Sequence, residues 1–290
     1  MTSTSLPRGI WVPLVTPFAH GAVDHAGLAR LVASLGAGGV AGFVVCGSTG
    51  EAATLSDAER QAVLRTVLAA APGLPAIVGV SGVATAQVRE QLLRWAESPI
   101  AGFLVTPPHY VKPSQAGIEE HFSTLADASP LPILLYDIAA RTGVRIETDT
   151  MLRLAAHPRI AGVKDCSDDL DHLQALLNDG RLAVYCGNDH HILASLALGS
   201  AGAIAASAHL RPERFVQLQR HVDRGELPEA RALWARLWPL VMTLFEEPNP
   251  APVKAALAAL HGLSDELRAP MTRASVAAGE QVLKALRALA

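Results

Sequence analysis

Eight short apolar, β-branched runs recur along this chain, each separated from the next by a helix-like segment too long for a hairpin. They fall near residues 10–15 (Ile-Trp-Val-Pro-Leu-Val), 42–46, 76–80, 102–105, 132–136 (Pro-Ile-Leu-Leu-Tyr), 160–163, 183–186 and 202–205. Continuous apolar strands alternating with helices indicate parallel strands covered on both faces. Eight such units fit a closed (β/α)₈ TIM barrel better than an open doubly wound sheet, and 290 residues suffice for a barrel of about 250. The expected class is α/β, with the catalytic barrel over residues 1–225 and a helical region packed on it over 226–290. That second region is rich in Ala and Leu and is broken by Glu247-Pro248-Asn249-Pro250 and Ala269-Pro270. Its stripe of Leu237, Leu240 and Leu244 is expected in the core.

Helix starts punctuate the pattern. Ser56-Asp57-Ala58-Glu59 has capping-box spacing, and Ser114 and Thr148 open two further segments. No apolar stretch is long enough to span a bilayer, and the first residues lack the apolar stretch of a signal peptide. A formal charge of −3, with acids and bases interspersed, gives no footprint for nucleic acid. Cys46, Cys166 and Cys186 show no paired spacing and read as buried fillers in a reduced cytoplasm. No Gly-rich nucleotide fingerprint follows the first strand. Asn188-Asp189-His190-His191 reads as a polar helix start rather than a metal centre, because adjacent histidines point in different directions and HxxxH spacing is missing.

In a barrel of this kind catalytic groups follow the carboxyl ends of the strands. Collecting those ends gives Gly47-Ser48-Thr49-Gly50-Glu51, Thr106 to Tyr110, Tyr136-Asp137 with Arg141 a few residues on, Lys164, Gly187-Asn188-Asp189 and Ile204. A lone lysine at a strand end more often snorkels to water. Here it keeps company with two tyrosines, two vicinal hydroxyls and an arginine. Burial of Lys164 is expected to lower its pKa, making an amine able to form a Schiff base with a ketone. A phenol can carry the protons, Gly-flanked amides and hydroxyls can hold a carboxylate, and an arginine can clamp a second one.

The segments Gly47 to Glu51, Thr106 to Gln115 (TPPHYVKPSQ), Tyr136 to Gly143 (YDIAARTG), Gly162 to Asp165 and Glu247 to Lys254 (EPNPAPVK) resemble the dihydrodipicolinate synthase / N-acetylneuraminate lyase family. The motifs occur in the same order and at matching spacing from about residue 8 to the C-terminus. Their details look like the synthase branch, which condenses pyruvate with aspartate semialdehyde to 4-hydroxy-tetrahydrodipicolinate on the route to lysine and diaminopimelate. The resemblance implies that Lys164 forms the imine and Tyr136 transfers protons, with Ser48 linking Tyr136 to Tyr110, a tyrosine that reaches in from the neighbouring subunit. Thr49 would bind the pyruvate carboxylate, Arg141 the carboxylate of the aldehyde, and the Ile204 carbonyl would line the pocket. It implies no metal or organic cofactor, and a homodimer or homotetramer built as a dimer of dimers.

Three departures stand out. Ser48 replaces the threonine usual in synthases, and Asp137 and Ala139 replace the usual Asn and Pro, which leaves room for an aldolase or dehydratase of sugar-derived 2-keto acids. A barrel that only binds a keto acid is the third alternative. At the positions matching the cleft of lysine-inhibited members stand Ala52, Asp57, Arg60, Val83, Gln87 and His109. That set implies weak or absent lysine inhibition.

Overall fold

The computed structural model describes residues 6–289. Its strands are β1 (Gly9–Pro13), β2 (Phe18–Ala19), β3 (Ala22–Val23), β4 (Gly42–Val45), β5 (Ala76–Val80), β6 (Gly102–Val105), β7 (Ile133–Asp137), β8 (Ile160–Asp165), β9 (Ala183–Cys186) and β10 (Gly202–Ile204). Eight of them close a parallel barrel in the order β1-β10-β9-β8-β7-β6-β5-β4, while β2 and β3 form a separate small hairpin. The expected TIM barrel is therefore the fold, and each expected strand coincides with an observed one to within two residues at either end. Lys164 lies inside β8 rather than just beyond it, because the β7–β8 ladder continues through Tyr136↔Lys164 and Asp137↔Asp165.

The helices are α1 (His25–Ala37), α2 (Asp57–Ala70), α3 (Thr85–Trp95), α4 (Gln115–Ala128), α5 (Ala139–Thr142), α6 (Thr148–Leu154), α7 (Leu170–Asp179), α8 (Ile192–Ala197), α9 (Pro212–Asp223), α10 (Leu227–Thr243), α11 (Ala251–His261) and α12 (Val276–Ala288). Ser56 accepts from the Glu59 amide while Glu59 reaches back to the Ser56 amide, so the capping box forms as expected. Ser114 caps α4 by accepting from the Gly117 amide. Thr148 differs. It is the first residue of α6 and not its cap, and its hydroxyl lies 2.8 Å from His172 Nδ1 instead. Leu237, Leu240 and Leu244 are all fully buried.

The chain divides into two compact units. One comprises Pro75–Ile204 with the segment ending at Arg8; the other comprises Gly9–Leu74 with the segment from Ala205 onward. In the first, Phe103, Leu135 and Tyr185 are completely buried, and Tyr185 donates its hydroxyl to the Leu6 and Pro7 carbonyls at 3.2 and 3.0 Å. In the second, Val12, Phe18 and Phe43 are completely buried, with Leu218 and Leu240. Among the described residues no helix is long and apolar enough to cross a membrane.

Candidate active site

The first unit carries the lysine. Lys164 and Tyr136 are register partners on β8 and β7, so their side chains leave the sheet on the same face. Lys164 Nζ donates to the Tyr136 hydroxyl at 3.3 Å and sits 4.4 Å from the centre of the phenol ring. Both residues are buried, at 5% and 6% exposure. Burial pulls the Lys164 pKa down, as the sequence suggests. Interaction with Tyr136, Cys166 and Asp189 acts the other way, and the net shift is upward. The free chain therefore holds this group as an ammonium, contrary to the expectation from burial alone. Burial pushes the Cys166 thiol up to about 12, against the lowering effect of the neighbouring Lys164 ammonium.

Around this pair the loops are tied to one another. Arg141 lies on α5, a single helical turn closed by Gly143 in the left-handed region, and its side chain is exposed. The Thr142 hydroxyl donates to the Ile138 and Val144 carbonyls, which fixes that turn. The Tyr110 amide donates to the Thr142 carbonyl at 3.2 Å, joining the loop after β6 to the turn that carries Arg141. Tyr110 has φ +70° and is 88% exposed. Ile204 ends β10 and is buried.

Directly beside Tyr136 stands a group that the sequence reveals only in part. Asp137 is buried, accepts the Ile146 amide at 3.1 Å through Oδ1, and leaves Oδ2 without a hydrogen-bond partner. Asp165 and His172 lie close by, within reach of a shared ion. Burial raises the Asp137 pKa to about 6, with the Ile146 amide opposing and Asp165 reinforcing the rise. The sequence flagged Asp137 as a departure; nothing in it pointed to His172.

The second unit carries the hydroxyl pair. Ser48 is exposed and Thr49 is buried in the turn after β4. Thr49 Oγ1 accepts from Asn249 Nδ2 at 2.9 Å, and the Thr16 hydroxyl donates to the Gly50 carbonyl at 2.7 Å. A side chain at Gly50 would come within 2.8 Å of the Leu14 carbonyl, which explains the glycine. Glu51, at φ +53°, accepts from Lys254 Nζ at 2.5 Å and from the Arg268 amide at 3.0 Å. Asn249 and Lys254 belong to the EPNPAPVK segment. That segment thus supports the hydroxyl turn, a role the sequence did not disclose.

A closed parallel barrel with a buried lysine hydrogen-bonded to a strand-end phenol defines this chain as a barrel enzyme of the lyase class. It belongs to the dihydrodipicolinate synthetase family, whose model matches residues 6–289. It is 40% identical over 287 residues to the 4-hydroxy-tetrahydrodipicolinate synthase of Sorangium cellulosum, covering 97% of this chain and 95% of that one. It is 42% identical over 267 residues to 4-hydroxy-tetrahydrodipicolinate synthase 1 of Streptomyces coelicolor, covering 90% and 87%. Among solved structures it resembles the chloride-inhibited dihydrodipicolinate synthase of Acinetobacter baumannii complexed with pyruvate. The TM-score there is 0.94 at 32% identity, with 97% of this chain and 98% of that chain covered.

Proposed function

We propose that this chain condenses pyruvate with L-aspartate 4-semialdehyde to 4-hydroxy-tetrahydrodipicolinate through an imine on Lys164. The observation that carries the reading is the 3.3 Å hydrogen bond from Lys164 to Tyr136 in a chain so close to enzymes named for this reaction. The amine adds to the pyruvate ketone and water leaves, giving a protonated imine. That imine draws electrons from the methyl carbon, which loses a proton and attacks the aldehyde carbon. The aldehyde substrate's own amine then displaces Lys164 and closes the ring. Since the resting lysine is an ammonium, a proton must leave before attack, and Tyr136 is the phenol in contact with it.

The remaining roles rest on the resemblance. Ser48 extends the proton relay, Thr49 with the amides of its turn holds the pyruvate carboxylate, Arg141 receives the carboxylate of the aldehyde, and the Ile204 carbonyl lines the pocket. No metal or organic cofactor enters the chemistry. Tyr110, exposed on a backbone in the left-handed region, completes the site of a second copy in a homodimer or homotetramer. The setting is the cytoplasm. Inhibition by lysine is weak or absent, since Val83 and Gln87 carry no charge and Arg60, paired with Asp57 at 2.6 Å, repels an ammonium.

Incubation with pyruvate and borohydride tests the imine. The intact chain should retain a reduced adduct on Lys164, and Lys164→Ala should retain none. Absence of the adduct removes the mechanism. An adduct without turnover of aspartate semialdehyde keeps the imine and replaces the aldehyde.

A further inference from the structure

Beyond β8 and β9 the chain gathers a second set of polar groups, all within the unit that carries Lys164. Asp168 lies in the loop after β8, and His190 and His191 lie in the single 3₁₀ turn Asp189–His191 after β9. Sequence adjacency argues that two neighbouring imidazoles diverge. Here they do not. The rings stand 4.1 Å apart between centres at 61°, and both turn a nitrogen toward one carboxylate oxygen. His191 Nδ1 is 3.1 Å and His190 Nε2 is 3.8 Å from Asp168 Oδ1.

We propose that Asp168, His190 and His191 form a binding site for a divalent transition cation of the zinc type. The donor set of two imidazole nitrogens and one carboxylate oxygen suits zinc, nickel or copper rather than magnesium or calcium, which favour all-oxygen shells. The spacing suits it too. Zinc with bonds of about 2.0–2.1 Å in tetrahedral geometry sets its ligand atoms about 3.3 Å apart, a value that the observed 3.1 and 3.8 Å bracket. All three ligand atoms lie within 4.8 Å of one another. The side chains are between 38% and 56% exposed, so an ion can enter from water and water can complete its shell. Asn188 donates its side-chain amide to the same Asp168 oxygen and orients the carboxylate. Partners of this kind affect metal affinity by about tenfold to a hundredfold.

The site stands apart from the imine chemistry, so its test reads binding and not turnover. The full chain would be dialysed against Zn²⁺, then against Co²⁺ for its visible spectrum. The expected result is one ion per chain, with cobalt bands of a nitrogen and oxygen shell and no thiolate charge-transfer band. Asp168→Asn and His191→Gln should each weaken binding by at least about tenfold while turnover stays unchanged. Asparagine is chosen because Asp168 has φ +55°, a conformation that Asn tolerates. Retention of no ion, binding unaltered by both substitutions, or a thiolate spectrum would each overturn the assignment.

Discussion

Lys164 and Tyr136 face each other across adjacent strands, with the ammonium nitrogen 3.3 Å from the phenol oxygen and both groups shielded from water. The strand register fixes this pairing, and no flexible loop intervenes. The contact explains why the lysine pKa moves upward despite burial.

Tyr136→Phe keeps the ring and removes the oxygen. Turnover should fall by about a hundredfold or more, the usual range for losing a positioned proton carrier. The fold should be unaffected, as judged by circular dichroism and thermal melting. A kcat near that of the parent would take the phenol out of the proton path.

Asp137 is a carboxyl whose surroundings oppose its charge. Burial and the neighbouring Asp165 disfavour it, one of its oxygens has no partner, and the Ile146 amide and Arg145 of the following loop only partly offset them, with His172 close by. With the folded pKa raised to about 6 from 3.8, the native state binds this proton more tightly than the unfolded chain does. Its contribution is therefore complete below about pH 4 and is lost as the pH rises through 6. Asp137→Asn retains the oxygen that accepts the Ile146 amide and removes the titrating charge from the buried position. The variant should be more stable at pH 7–8 by up to about 3 kcal/mol. That advantage should shrink from pH 6 downward and vanish near pH 4. Urea denaturation at pH 4, 6 and 8 checks the sign, and a constant offset across the series would refute it.

Doubly covered parallel strands read as unbroken apolar runs, which is why all eight could be located from sequence. The hairpin β2–β3 leaves no such run, because each strand has two residues. Its only signal is His20-Gly21, both with positive φ, as in the tight turns that suit hairpins. Lys164 and Tyr136 were legible because a polar residue ending an apolar run is conspicuous. The sign of the Lys164 shift was not, since it depends on Cys166, Asp189 and Tyr136 meeting in space. Glu51 and Lys254 stand 203 positions apart, and no local pattern announces such a pair.

That pair carries its own prediction. The Lys254 and Glu51 side chains are both 2% exposed, and the ammonium also donates to the Glu266 carbonyl and lies 4.2 Å from the Phe18 ring centre. Lys254→Met leaves a buried carboxylate with the Arg268 amide as its remaining neutral donor. Breaking one side of a buried pair typically costs about 3–5 kcal/mol, whereas replacing both sides costs far less. Lys254→Met should thus shift the denaturation midpoint strongly, and Glu51→Gln/Lys254→Met should recover part of the loss. A double variant no better than the single one would mean that packing of the lysine stem, not charge, sets the cost.

Gly187 bears on the lysine from the neighbouring strand. It follows β9, whose Tyr185 is the register partner of Lys164. A methyl group there would collide first with Cys166 Sγ and would come within 2.9 Å of both Lys164 Cγ and the Asp165 carbonyl. The backbone carbonyl cannot yield easily, so the Cys166 and Lys164 side chains both have to move. Displacing a reacting group by about 1 Å can reduce the rate about a hundredfold. Gly187→Ala should therefore slow borohydride trapping of pyruvate on Lys164 and lower kcat together, by about tenfold to a hundredfold. If trapping and turnover both matched the parent enzyme, the approach of β9 would have no part in aiming the amine.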